Sequence, residues 1–206
     1  MPHSHPIIRK IGLTGGIGSG KSTVAKILND QRGFALIDAD AISRALTAPE
    51  GEAIEDIKSQ FGPQFILVDQ SLDRQKMRDL VFNDPNARKR LESIIHPKVL
   101  GQIERQIFRA NDEGMKTVLI DIPLLAESHA RWQQRLDAVL VVDCMPETQV
   151  QRVTQRSGLD PQSVLKIISS QATREARNAL ANWIIFNEGL TLEELESEVM
   201  GIDFEI

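Results

Sequence analysis

A single cysteine, Cys144, supplies the only thiol in this 206-residue chain. It cannot form an internal disulfide, so the chain suits a reducing compartment. At the end of an apolar run it reads as a small buried hydrophobe. Positive charge is also short. Twenty-four Lys and Arg stand against 29 Asp and Glu, a net charge of -5. That is the opposite of the basic balance that displaces counterions from nucleic acids, so general nucleic-acid binding is excluded and any phosphate ligand must be met by a local cluster. No apolar run approaches the roughly 20 residues of a membrane span, and the segment Met1 to Lys10 is too short and polar for a signal peptide. A soluble cytoplasmic protein without a membrane partner is expected. Internal repeats and low-complexity segments are lacking. What is present, 41% apolar and 26% charged residues, falls in the globular range: enough for one α/β domain with a modest insertion, too little for two large domains.

Five short apolar runs read as strands: Ile7 to Thr14, Phe34 to Asp38, Val118 to Asp121, Ala138 to Asp143 and Trp183 to Phe186. Three of them end in an acidic residue, and such continuous runs suit a parallel sheet covered on both faces. The first run leads through a glycine-rich turn into a helical pattern from Ser22 to Leu28, and a closing helix is expected near Leu192 to Met200. The span from Asp38 to Thr117 is far longer than one crossover helix requires, so it predicts a helical insertion. Within it, Asp84-Pro85 reads as an N-cap with proline at the first helical position, Pro97 as the start of another helix, and Gly114 as that helix's C-cap. A second, polar insertion carries Arg152, Arg156, Arg174 and Arg177. The expected layout is a core (about 7–43, 115–151 and 178–206), a helical insertion (about 44–114) and a small lid (about 152–177).

Gly15-Gly16-Ile17-Gly18-Ser19-Gly20-Lys21-Ser22 satisfies G-x-x-x-x-G-K-[ST] in full, after a predicted strand and before a predicted helix, the context the motif requires. Glycines let the loop wrap its N–H groups round a phosphate chain while the helix directs its positive end at the same anion. Gly16, Gly18, Ser19 and Gly20 are therefore expected to cradle phosphates, Lys21 to reach the β- and γ-phosphates of ATP, and Ser22 to coordinate Mg²⁺. Thr23 reads either as a further phosphate contact or as a helix-start residue. The motif leaves the fate of the γ-phosphate open. A guanine-specifying [NT]-K-x-D segment is absent, which argues against a GTPase switch, and the length argues against oligomeric ATPases with appended domains. A compact kinase remains, with a different small-metabolite or nucleoside monophosphate kinase, or a non-catalytic ATP-sensing module, as alternatives.

Asp38-Ala39-Asp40 lies at the expected carboxyl edge of the sheet, where ligands bind in such folds. Two apart on a strand, the carboxylates would point the same way: one to organise Mg²⁺, the other to take a proton from the acceptor, unless either caps the following helix. Arg44, one turn on, suits clamping an anionic acceptor. Asp121 reads equally as a Mg²⁺ carboxylate acting through water or as a loop anchor. Arg152 and Arg156, four apart on one helix face, suit ATP phosphates or the adenine ring, or form a solvated basic face. His3 and His5 form an i, i+2 pair, and a solvated tail is the simpler reading of them. His96 has no Cys or His at metal spacing.

Taken in order, Ile11 to Thr23, Asp38-Ala39-Asp40 with Arg44, Leu91 to Pro97 including His96-Pro97, Asp121-Ile122-Pro123-Leu124-Leu125 and Asn187-x-Gly189 make the chain resemble the dephospho-CoA kinase family over essentially its whole length. The resemblance implies transfer of the ATP γ-phosphate to the 3′-hydroxyl of the dephospho-CoA ribose, with a parallel-sheet core, a helical CoA-binding region and a lid. It adds Asn187 to the nucleotide contacts and His96 to the acceptor side, beside Asp40 and Arg44. Asp40 is the expected general base, with Asp38, Ser22 and Asp121 toward the metal. A monomer or small homo-oligomer is expected. Two departures stand out: Ala126 where the family usually has an aromatic residue, and Asn182 where Asp is common.

Overall fold

The computed structural model describes residues 8–205; His3, His5 and Ile7 lie outside them. The chain opens with strand β1 (Arg9–Gly15), helix α1 (Lys21–Arg32) and strand β2 (Ala35–Asp38). It continues through α2 (Ala39–Leu46), α3 (Ile54–Phe61), α4 (Arg74–Asn83) and α5 (Pro85–Asp112), then returns with β3 (Thr117–Asp121), α6 (His129–Trp132) and β4 (Ala138–Asp143). Helices α7 (Pro146–Ser157), α8 (Pro161–Ser170) and α9 (Arg174–Asn178) precede β5 (Trp183–Phe186) and α10 (Leu192–Gly201). The fourth and fifth strands carry the bounds expected from their apolar runs. Two compact units result: one from the segments up to Ile37 and from Ala110 onward, the other from Asp38 to Arg109.

The first unit holds the sheet, in the order β2-β3-β1-β4-β5. The registers of β1 against β3 and β4, and of β4 against β5, are parallel. Side chains alternate with the pleat. Ile11 and Leu13 of β1, with Leu119, Leu140, Val142 and Ile185, join Val24 and Leu28 of α1 and Leu195 and Val199 of α10 in one buried cluster. On the other face Gly12 sits so close under Leu136 and Leu125 that a Cβ would stand 2.5 and 2.8 Å from them. All six residues of β4 are buried, as a strand covered on both faces requires. Truncating one of these leucines to alanine costs about 2–5 kcal/mol by general experience of cores.

The second unit is helical. Asp38 caps α2, accepting from the Ala41 N–H at 2.7 Å, and Asp73 caps α4 through the Lys76 N–H. Ile54, Ile57 and Phe61 of α3, Phe65 and Met77 are buried, with Phe61 and Phe65 edge to face at 6.1 Å. Asp84 accepts from the Asn86 N–H, capping α5 as expected. The helix boundary expected at Pro97 does not occur: α5 runs through it. Proline removes one i to i-4 bond, but buried Ala87, Ile103 and Ala110 anchor the helix on both sides of that gap. At its end Gly114 takes φ +80° and the Met115 N–H reaches the Ala110 carbonyl, the left-handed cap anticipated there. Among the described residues no helix is long and apolar enough to cross a membrane.

Candidate active site

The parallel register sets the carboxyl ends of β1, β3 and β4 side by side, with Leu13 opposite Asp121 and Gly15 opposite Val142. The loop from Gly16 to Gly20 leaves this edge and enters α1 at Lys21. Gly20 is the helix N-cap at φ +96°, and a Cβ there would also meet the Asn187 amide nitrogen at 2.3 Å, so conformation and close approach both demand glycine. Gly16 is fixed differently: a Cβ would stand 2.1 Å from Gln149 Nε2 and 3.0 Å from Arg177 Nη2. Two side chains therefore press on the second glycine of the loop.

Several elements stitch the loop in place. Asn187, buried just past β5, donates to the Ser19 carbonyl at 2.8 Å. Arg152 of α7 lies 3.4 Å from the carbonyls of Gly18 and Ser19 and from Asn187 Oδ1. The Ile17 N–H donates to Gln171 Oε1 at 3.0 Å. Lys21 forms an ion pair with Asp121, both side chains only 14% exposed, so a strand-end carboxylate holds the lysine at the mouth of the loop. Ser22 and Thr23 stand exposed on the first turn of α1. Behind the loop, burial pushes the Cys144 thiol up to about 11. It stays protonated at neutral pH, in keeping with its reading as a buried hydrophobe.

Around β4 and β5 lies a second polar layer that sequence reasoning missed. Asp143, 2% exposed, accepts from Arg174 at 2.6 and 3.0 Å and from Asn178 at 3.2 Å. Those bonds raise the Arg174 pKa above its already high value. Glu188 accepts from Thr148 Oγ1 at 2.5 Å and the Met145 N–H at 2.9 Å, and the Thr148 hydroxyl in particular holds its carboxyl below the usual range. The arginine-rich stretch in the sequence flagged Arg174 and Arg177 but did not separate their roles. Gln149 and Gln171 carry no local signal at all. Arg156, one turn beyond Arg152, is exposed and is not drawn to the loop. Asn182 opens β5 at the end of the strand opposite the P-loop and accepts from the Val139 N–H at 2.9 Å. Its carbonyl oxygen fills the acceptor role an aspartate would have.

In the helical unit the strand ends at Asp38 and α2 begins at Ala39, so Asp38 and Asp40 are not the same-facing strand pair anticipated. Asp38 caps the helix and lies 3.6 Å from Arg44, while Asp40 stands exposed in the first helical turn with no hydrogen-bond partner among the described residues. His96 of α5 lines a cavity of about 320 Å³ together with Ser43, Thr47, Leu72, Arg74 and Met77. Arg74 is already engaged there, donating to the Arg44 carbonyl and to Thr47 Oγ1 at 2.9 Å. In the first unit a larger cavity, about 680 Å³, is lined by Arg9, Arg32, Lys116 and Phe204 among others. Its arginines donate to backbone carbonyls of the C-terminal segment.

The sequence pattern of one family, described as dephospho-CoA kinase, matches residues 9–193. A dephospho-CoA kinase from Albidiferax ferrireducens is 51% identical over 190 residues, covering 92% of this chain and 89% of that protein. A crystal structure of TT1252 from Thermus thermophilus superposes with a TM-score of 0.80 at 34% identity, covering 94% of each chain. Dephospho-CoA kinase from Campylobacter jejuni does so at 0.61 and 25%, covering 93% of this chain and 94% of that one.

Proposed function

The chain belongs to the dephospho-CoA kinase family and is a kinase of coenzyme A biosynthesis; on that premise we propose how its residues divide the work. The P-loop unit binds ATP, with Gly16, Gly18, Ser19 and Gly20 offering backbone amides, Lys21 its charge to the β- and γ-phosphates, and Ser22 and Thr23 their hydroxyls. Arg152 and Asn187 hold the loop's shape, and Arg156 remains free to reach the nucleotide. The helical unit takes dephospho-CoA. Its cavity, lined by apolar side chains with His96, Ser43 and Thr47 among them, suits an arm of alternating methylenes and amides. Arg44, exposed on α2, meets an anionic group of the acceptor. The observation that carries this reading is the complete phosphate loop with Lys21 held on Asp121 at its mouth.

The acceptor's 3′-hydroxyl gives its proton to Asp40, whose exposed carboxylate is uncommitted, whereas Asp38 is engaged as a helix cap. Magnesium fits the donors available. Ser22, Asp121 and Asp38 offer hard oxygens, and among the described residues no three His, Cys, Asp or Glu side chains cluster to hold an ion alone, as suits an ion carried mainly by phosphates and water. When bound it neutralises charge between the β- and γ-phosphates. Residues 152–177 act as a lid that limits hydrolysis. The enzyme works in the cytoplasm, as a monomer or small homo-oligomer. The test is a coupled ADP-release assay with dephospho-CoA, AMP and adenosine offered singly. A kcat/KM for dephospho-CoA far above the others is expected; equality with AMP would overturn the acceptor assignment.

A further inference from the structure

Helix α9 carries two arginines in opposite circumstances. Arg174 is neutralised: its guanidinium donates to Asp143, with the closest contact at 2.6 Å. Arg177, three residues on, is only 4% exposed, yet no carboxylate among the described residues forms an ion pair with it. Its Nη1 donates to the Ala172 carbonyl, and its Nε is buried without a partner. A guanidinium remains charged at any ordinary pH, and burying it uncompensated is far costlier than burying it paired. A methionine would fill the same space without that penalty.

The charge is aimed at the phosphate loop. Arg177 Nη2 lies 3.0 Å from the point a Cβ on Gly16 would occupy, and Gln149, 1% exposed with an unpartnered Oε1, covers the same glycine. The link between α8 and α9 is tied down on both sides. Gln171 accepts from the Ile17 N–H at 3.0 Å, and the Ala172 N–H donates to Glu127 at 2.7 Å. The carbonyl that Arg177 grips is therefore anchored to the loop's third residue. The first turn of α1 lies at one end of the loop and Gly16–Ile17 at the other. The Lys21 ammonium turns back to pair with Asp121, which lies in register with Leu13 just before the loop, so a terminal phosphate reached by Lys21 would lie toward the Gly16 end.

We propose that Arg177 is a catalytic residue that contacts the γ-phosphoryl group of ATP during transfer, and that Gln171 is the positioning residue that sets its guanidinium against the loop. The inference rests on the kinase reading above. In the step it serves, the acceptor oxygen bonds to the γ-phosphorus while its proton passes to Asp40. The bond from that phosphorus to the β–γ bridging oxygen breaks with its electron pair left on ADP. A preorganised cation beside the equatorial oxygens stabilises the charge spread over them, and an arginine in this role is worth about 10³–10⁵-fold in turnover in related phosphoryl transfers.

Arg177→Met and Arg177→Lys are compared with the parent in three measurements: turnover with dephospho-CoA, thermal melting, and calorimetric affinity for ADP and for the β,γ-imido analogue of ATP. The expected result for Arg177→Met is a melting temperature at or above that of the parent and ADP affinity within threefold. The imido analogue should bind at least tenfold more weakly, and turnover should fall by at least 10²-fold, with Arg177→Lys recovering at least tenfold of the loss. Turnover within threefold of the parent would overturn the proposal. So would equal losses of ADP and analogue affinity together with a lowered melting temperature, which mark a purely structural arginine. If Arg177→Met does not fold, Arg177→Lys decides: a tenfold or larger loss of turnover at unchanged ADP affinity supports the contact, and parity overturns it. A parent inactive on dephospho-CoA whose analogue-to-ADP affinity ratio still shifts in Arg177→Met would sink the acceptor reading and leave this one standing.

Discussion

The phosphate loop and the start of α2, to which the proposal assigns ATP and the acceptor, are built on opposite plans. At the loop several polar groups are committed, Lys21 to Asp121, Asn187 to the Ser19 carbonyl and the Ile17 N–H to Gln171, with Arg177 Nε, Gln149 Oε1 and Ser19 Oγ as buried exceptions. At α2, Asp40 is exposed, Arg44 is more than half exposed and Asp38 serves mainly as a cap. Committed groups cannot reorganise cheaply, which suits the preorganised electrostatics that phosphoryl transfer uses. Exposed groups keep their freedom to reorganise. On the assignment proposed above, rigidity is concentrated where ATP would bind and adaptability where the acceptor would.

The largest effect should come from the adaptable side. Asp40→Asn preserves shape but cannot accept a proton, so kcat is expected to fall about 10²–10⁴-fold, the usual worth of a general base, with ATP affinity unchanged by calorimetry. Asp38→Asn should cost less turnover. The reverse order would exchange their roles and break the contrast drawn above. On the committed side, Lys21→Ala is expected to lower kcat about 10²–10³-fold while circular dichroism stays native, since the lysine meets ligand and Asp121 rather than the core. Near-parental turnover would mean that the loop does not handle phosphate.

Stability sharpens the comparison. Asp143→Asn weakens a contact in which one partner is buried and Arg174 is 28% exposed. Discounting the several kcal/mol typical of a fully buried pair for that exposure gives about 2–3 kcal/mol, read as a shift in urea midpoint. The equivalent change, Asp38→Asn at the exposed Arg44–Asp38 pair, should cost under about 1 kcal/mol, since asparagine still caps α2. Equal costs at the two sites would deny that one is built more rigidly. The smallest effect is chemical. With its pKa raised to about 11 by burial, Cys144 should resist alkylation at pH 8 in the native protein and react once unfolded. As this group prefers its proton in the fold, its contribution to stability is complete below the unfolded thiol's pKa and fades as pH rises toward 11.

Much of the fold was legible because the signals were local. Apolar runs closing on Asp38, Asp121 and Asp143 announced strands of a doubly covered sheet, and the loop motif was read from eight consecutive residues. Two readings failed where a local rule met tertiary context. Pro97 lost its power to stop a helix because burial on both sides outweighed one missing bond, and Asp38 and Asp40 parted company because a cap begins a helix at once. Gln149 and Gln171, and the separate role of Arg177, escaped for a different reason. Their placement against Gly16 and Ile17 depends on residues more than a hundred positions apart meeting at one sheet edge, a fact no window of sequence contains.

The arginines of the large cavity at the other end of the sheet grip something unusual for charged side chains. Arg9 and Arg32 donate to the main-chain carbonyls of Phe204, Met200 and Ile202, so they hold the path of the C-terminal segment itself, with Arg32 also lying over the Phe204 ring at 5.4 Å. Phe204, edge to face on Phe34 and Trp183, and Ile202, packed on the core cluster, are held by their side chains as well. A substitution at residue 200 or 202 therefore leaves these arginine contacts available, because a main-chain carbonyl is present whatever the side chain.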